Sequence, residues 1–395
     1  MILHRFVHTR LLHPLKQFIH DSRAIGITLL VCTTVSLVAA NWGGWGESYR
    51  SMWNISFDGS LNHHAHPGFL SLPNSPLLVI NDLLMALFFF LAGMEIKREL
   101  VSGELASIKR SALPVVGAIG GMLVPALLFG LFNKGSIYMS GWAVPTATDI
   151  AFTLGIASLL GKRVPVALKI FLTALAIIDD LGAIVVIALF YGGKISAGYL
   201  MGTIVIVAVL WFLNKKKTAF GLLHWLLGIV LWYFMFNSGI HATVAGVIFA
   251  FMVPVPKLEE LELKFHTPVY FIIMPIFALA NTAIGIPGNS LQALHSSLSW
   301  GIIIGLCIGK PLGITTACYL LVSRKLAELP AGTGWYKMIG GGLLAGIGFT
   351  MSIFISTLAF NNPADQDIAK ISVLVASLIA MLSGYVWLRK QRNKE

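Results

Sequence analysis

Ala174-Leu-Ala-Ile-Ile-Asp179-Asp180-Leu-Gly-Ala-Ile184 decides how this chain is read. It lies inside the run Pro165 to Ile187, apolar enough on both sides to cross a bilayer, yet two adjacent carboxylates occupy its middle. One ionised Asp at the centre of an isolated membrane helix costs roughly 2.5–3.5 kcal/mol by the more modest scales. Two side by side point to an ion or proton pathway.

The surroundings agree. The chain has 395 residues, of which 56% are hydrophobic and only 11% charged, with a mean hydropathy of +0.81. A soluble domain carries about a quarter charged residues. Apolar runs near the length of a bilayer crossing lie at 24–41, 76–95, 112–132, 140–160, 165–191, 197–214, 219–236, 239–254, 268–286, 298–322, 337–360 and 368–388. The expected fold is therefore an all-α polytopic membrane protein of about twelve transmembrane helices, one transporter domain over residues 1–395. The first apolar run lacks a clear small-residue cleavage site and reads as a retained span.

Loop charge tests the count. One set of connections holds Arg5, Arg10, Lys16 and Arg23, then Lys97, Arg98, Lys109 and Arg110, then Lys162 and Arg163, Lys215 to Lys217, Lys257 and Lys264, Arg324 and Lys325, and finally Arg389, Lys390, Arg392 and Lys394. The alternating set holds only Arg50, Lys134, Lys194 and Lys370. The positive-inside rule makes the first set and both termini cytoplasmic. The net charge of +11 is thus a topology signal and not a nucleic-acid footprint. Residues 1–23 read as an amphipathic helix on the cytoplasmic surface. Residues 43–75 form the outward loop, with Trp42, Trp45 and Trp53 as interfacial anchors and a β-hairpin signal around Asp58-Gly59. His63, His64 and His66 fit a solvated loop better than a metal site. Cys32, Cys307 and Cys318 lie in apolar segments and offer neither a disulfide framework nor a metal motif.

Ionisable residues at membrane depth are Asp82, Asp149, Asp179, Asp180 and Lys310. Neighbours on a helix diverge by about 100°, so Asp179 and Asp180 serve two environments. One can pair with a cation on another helix, for which Lys310 is the only deep base, while the other lines an aqueous cavity. Ala176, Thr173 and Lys169 lie beneath Asp180 at helical spacing, like the wall of a funnel. A carboxylate oxygen binds sodium and protons alike, and competition at a site open to one side at a time gives exchange.

Trp142-Ala-Val-Pro145-Thr-Ala-Thr148-Asp149 and Ala345-Gly346-Ile-Gly348-Phe-Thr350 place helix-interrupting residues in the fourth and eleventh spans. Interruptions at matching places in two halves mark transporter sites built from broken helices. Spans 3–5 and 10–12 enter from opposite sides, so an inverted repeat with two broken, crossing helices is expected. Gly117, Gly120, Gly121 and Gly340 to Gly342 fit small-residue packing.

These strings, with Asn81-Asp82-Leu-Leu-Met-Ala, Gly93-Met-Glu95-Ile-Lys-Arg98-Glu99, Ser238-Gly-Ile-His241-Ala-Thr and Gly309-Lys310-Pro311-Leu-Gly-Ile, resemble the NhaA family of bacterial Na+/H+ antiporters from about Asp21 to the last span. That family is among the known inverted-repeat transporters. The resemblance implies that Asp180 is the principal carboxylate for Na+ or Li+, and that Asp179 is its proton-carrying neighbour and partner of Lys310. Asp149, beside Thr148, and Lys310 would offset the facing helix ends. It further implies a pH-sensing group of Glu95, Arg98, Glu99, Glu262 and His266. The pattern departs at Leu263, where the family has a second histidine. His241 suits either helix packing or sensing. The implied function is electrogenic, pH-regulated exchange of cytoplasmic Na+ or Li+ for external H+ in a bacterial inner membrane, by a homodimer without a cofactor. An intramembrane aspartyl protease would need Tyr-Asp and Gly-x-Gly-Asp contexts, which are missing. A sodium-coupled solute symporter is the alternative.

Overall fold

The computed structural model describes residues 22–57, 71–216, 218–286 and 294–390. Every predicted span is helical over at least part of its length. The helices are α1 (Ser22–Ala40), α2 (Trp45–Trp53), α3 (Pro76–Ser102), α4 (Ile108–Phe132), α5 (Ile150–Leu159), α6 (Val166–Phe190) and α7 (Ala197–Lys215). There follow α8 (Leu222–Ser238), α9 (Val244–Met252), α10 (Val255–Asn281), α11 (Ser297–Ser323), α12 (Trp335–Ala345), α13 (Phe349–Ala359) and α14 (Pro363–Lys390). Among the described residues, eight of these are long and apolar enough to cross a membrane, and α12 with α13, bent by 46°, make a ninth. The other three predicted spans are filled by shorter pieces: a 3-10 segment (Ile137–Thr146) followed by α5, then α8, then α9. A broken span needs protein around it, because lipid cannot satisfy freed backbone groups.

That protein is a central pair, α4 and α11. A Cβ on Gly117 would sit 3.0 Å from Cys318 Sγ, and one on Gly313 would collide with the Gly120 carbonyl. Further along, a Cβ on Gly309 would lie 3.0 Å from Pro125 Cα, and one on Gly301 2.8 Å from Phe129. Contacts that rise along α4 while falling along α11 make the two antiparallel. In a bilayer such packing, rather than a hydrophobic drive, holds helices together. Gly120 meets the Gly313 backbone and Gly313 meets the Gly120 backbone, a reciprocal contact between the first helices of the two predicted repeats. Gly120→Val is therefore expected to abolish recovery of a single monodisperse peak on size-exclusion chromatography. A normal peak for that variant would show that the crossing can open.

Three helices contain a wider π turn: Val79–Leu84 in α3, Val269–Ile273 in α10 and Gly305–Gly309 in α11. Such turns are rare and cluster at functional places. The last delivers Lys310. At the periphery α7 packs mainly on α8, with only 11% of its apolar window buried against 67% for α3.

One stretch differs from expectation. Residues 45–53, read as loop, form α2, whose Tyr49 hydroxyl donates to Ser36 Oγ of α1 at 3.1 Å. The hairpin turn at Asp58-Gly59, the three loop histidines and the amphipathic segment up to residue 21 lie outside the described residues.

Candidate functional site

The site is built where the two broken spans meet. In the fourth, Pro145 fixes its φ and supplies no N–H, and it sits in the narrow 3-10 segment instead of an α-helix. Ala147 then turns extended (φ −82°, ψ 153°), as does Asp149 (φ −88°, ψ 107°). Asp149 is the N-cap of α5, its Oδ1 accepting from the Phe152 amide at 3.1 Å. In the eleventh span, Gly346 and Gly348 have ordinary negative φ values of −69° and −90°. Their contribution is space: a Cβ on Gly346 would sit 2.5 Å from the Leu306 carbonyl oxygen.

The breaks interlock. The Asp149 amide donates to the Ile347 carbonyl at 2.7 Å. Asp149 Oδ2 accepts from the Thr350 amide at 3.2 Å and from the Thr350 hydroxyl. One carboxylate thus caps the N-termini of α5 and α13 together, placing negative charge where two helix dipoles are positive. The opposite ends are served by donors. Lys310 Nζ donates to the Thr146 carbonyl, and Thr148 Oγ1 lies 2.9 Å from the Ala345 carbonyl. The Ser377 hydroxyl accepts from the Phe349 amide at 3.1 Å. Asp149→Ala is expected to lower stability by about 1–4 kcal/mol, two caps at roughly 0.5–2 each, with Asp149→Asn much milder. A thermal melt checks this, and an unchanged midpoint for the Ala variant would refute the double cap.

Beside the crossing stands the carboxylate pair of α6. Lys310 Nζ and Thr148 Oγ1 each lie 2.7 Å from Asp179 Oδ2, and the Lys310 and Asp179 side chains are fully buried. Asp179 Oδ1 and Asp180 Oδ1 are also buried but accept no hydrogen bond. Asp180 lies within the fields of Asp179, Asp149, Glu95 and Lys310. If Asp149, Asp179 and Asp180 were all ionised, three negative charges would face one ammonium. An uncompensated buried charge costs several kcal/mol, so the site calls for protons or a cation. Below Asp180, Ala176 is buried while Thr173 and Lys169 are half-buried, so the small, polar stripe opens toward the start of α6.

The residues expected to sense pH are only partly gathered. Arg98 pairs with Glu262 of α10, and its other nitrogen lies 3.6 Å from Glu99 Oε1. Glu95 lies within the fields of Glu262, Arg98 and Glu99. His266 follows one turn after Glu262, its ring 4.7 Å from that of Tyr270. Leu263 is 69% exposed. His241 stands apart: its Nδ1 is 3.3 Å from Asp82 Oδ1 in the π turn of α3, and its ring is 5.7 Å from Phe354 of α13. Sequence reading flagged His241 and Asp82 separately and could not pair them. It also passed over Thr153, Ser352 and Ser377. For Thr153 and Ser352 the only sign in the sequence is a hydroxyl one turn beyond each break, shared with many ordinary helical residues, and Ser377, in the unbroken α14, has not even that.

Comparison with known proteins decides the family. A family model described as Na+/H+ antiporter 1 matches residues 16–388. An NhaA Na+/H+ antiporter of Cytophaga hutchinsonii is 45% identical over 380 residues, covering 95% of this chain and 94% of the relative. The chain belongs to the NhaA family of Na+/H+ antiporters. A second relative, NhaA 2 of Flavobacterium johnsoniae, is 47% identical over 394 residues, with 96% and 93% covered. One from Escherichia coli O1:K1 is 45% identical over 384 residues, with 95% and 97% covered. As an NhaA antiporter the protein is a multi-pass membrane transporter that exchanges Na+ for H+. The NhaA resemblance read from the motifs and the all-helical membrane fold both stand.

Proposed function

We propose that Asp180 and Asp179 are the carboxylates at which Na+ or Li+ and protons compete, and that the protein works by alternating access. The reading is carried by two buried carboxylate oxygens without donors, side by side on α6, next to a single ammonium. Asp180, which pairs with no cation among the described residues, is the principal ion ligand. Asp179 exchanges its proton against the bond to Lys310. Among the described residues no group of three or more His, Cys, Asp and Glu side chains is placed to hold a metal. The ion's remaining ligands are therefore hydroxyl, carbonyl or water oxygens, the hard ligands a small cation prefers, with Thr148 the nearest hydroxyl.

Cytoplasmic Na+ displaces protons from the pair, the crossing helices rock, and Na+ leaves outward as protons rebind. The exchange is electrogenic. Glu95, Arg98, Glu99, Glu262 and His266 adjust activity to pH, Glu95 acting on Asp180 through its field. His241 contributes to this regulation from its pair with Asp82. The basic ends face the cytoplasm of a bacterial cell, the protein lies in the inner membrane as a single transporter domain, and the outward loop joins two copies in a homodimer. It performs no covalent chemistry.

The test is sodium-induced proton movement in everted membrane vesicles, followed with a ΔpH-sensitive dye. Collapse of the gradient by Na+ in wild type but not in Asp180→Asn is expected. Equal collapse in both would remove Asp180 from the ion path.

A further inference from the structure

Threonine and serine hydroxyls in the helices of this protein ordinarily bond within their own helix. Thr173 donates to the Lys169 carbonyl at 3.0 Å, Thr203 to Tyr199 at 3.0 Å, and Thr282 to Ala278 at 2.7 Å. Ser238 and Ser356 reach carbonyls three residues back at 2.8 and 2.7 Å. Some buried hydroxyls do otherwise: Ser36 donates to the Leu279 carbonyl at 2.6 Å and Thr350 to Asp149 Oδ2, and two more donate to a backbone carbonyl of the other broken span. Thr153 Oγ1 donates to the Leu344 carbonyl of α12 at 3.0 Å, and Ser352 Oγ donates to the Val144 carbonyl of the 3-10 segment at 2.7 Å.

Both stand at the same place after their breaks. Each backbone amide bonds the residue that starts its half-helix, Thr153 to Asp149 at 3.0 Å and Ser352 to Gly348 at 2.9 Å. The second half of each broken span therefore holds the carbonyl end of the other's first half.

We propose that Thr153 and Ser352 are reciprocal positioning residues whose cross-bonds set the affinity of the ion site and its discrimination between Na+ and Li+. The inference rests on ions binding at Asp179 and Asp180. Leu344 directly precedes Ala345, whose carbonyl shares the single Thr148 proton with Asp179 Oδ2. Without the Thr153 bond the Leu344 carbonyl keeps the Ile347 amide at 3.1 Å, but the end of α12 is free to shift against Thr148, and the division of the Thr148 proton between Ala345 and Asp179 changes. Val144 lies two residues before Thr146, whose carbonyl shares Lys310 with Asp179. Ser352 thereby fixes where Lys310 stands. Both donors of Asp179 Oδ2 are thus held through this pair. Lithium, the smaller ion, needs its oxygens closer together and responds most to their spacing.

The experiment uses the full-length protein in proteoliposomes, titrating Na+ and Li+ against ΔpH dissipation, with Asp180→Asn alongside. Thr153→Val keeps volume and branching but drops the donor. It is expected to raise the apparent KM for Na+ about five- to tenfold, the effect of one net hydrogen bond. Maximal rate should stay within about twofold, and the Na+ to Li+ KM ratio should shift by a similar factor. Thr153→Ser, which retains the donor, should restore both. Ser352→Ala should move both in the same sense from the other side of the crossing, and it carries the test should Thr153→Val not fold. Unchanged KM and ion ratio in Thr153→Val or Ser352→Ala, even with a lower melting temperature, would reduce the pair to structural braces and overturn the proposal. Exchange surviving in Asp180→Asn would instead strike the ion-site reading beneath it.

Discussion

Replacing Asp180 with asparagine is expected to bring sodium-dependent proton movement down to the background of empty vesicles while leaving the fold intact. Asparagine has nearly the same shape but carries neither the charge that attracts sodium nor a titratable proton. The buried Asp180 Oδ1 accepts no hydrogen bond, so no donor is orphaned by the change. Repulsion from Asp179, Asp149 and Glu95 is relieved as well, which places the melting temperature at or above that of wild type. A second readout follows from linkage. A ligand at a hundred times its Kd stabilises by about 2.7 kcal/mol, so Na+ should raise the melting temperature of wild type and not of the variant. A variant that still exchanges, or still gains stability from Na+, would sink the assignment.

The second large effect belongs to Lys310. Lys310→Ala should destabilise the protein by roughly 3–5 kcal/mol, the cost of breaking a buried ion pair by removing one partner. It leaves Asp179 with Thr148 alone and strips the Thr146 carbonyl of its donor. Adding Asp179→Asn should recover most of the loss, because the stranded charge and not the missing side chain is the main cost. The double-mutant cycle in thermal melts reads this coupling directly. A single variant melting with wild type would show that Asp179 is not held by Lys310 in the membrane.

What could be read from sequence follows from what the bilayer makes expensive. A charge at membrane depth stands out against an apolar background, which is why Asp149, Asp179, Asp180 and Lys310 were visible without a structure. Pro145, Gly346 and Gly348 were visible as interruptions, but their physical roles were not. Pro145 sits in a 3-10 segment, and the two glycines are needed for close approach rather than for unusual φ. The partners of the freed backbone groups were invisible, because they come from the other broken span about two hundred positions away. Thr153 reads as any helical threonine until Leu344 is beside it. The π turn before Lys310 leaves no periodic signature in five residues, and α2 was hidden by its brevity and the glycines at its start. Nor could loop charge alone show that Glu95, Arg98, Glu99 and Glu262 meet, or that His241 turns to Asp82.

The double cap at Asp149 also constrains how the molecule is made. Asp149 and Thr350 are separated by 201 residues, so on a growing chain the first broken span enters the bilayer long before its partner has been synthesised. Until then the amides and carbonyls beside the break have only temporary partners, at a cost of several kcal/mol for each group left bare in hydrocarbon. The final shape of residues 137–159 therefore waits on residues 344–352. A chain stopped short of the eleventh span would be inserted without yet having the crossing on which Asp179 and Lys310 are held.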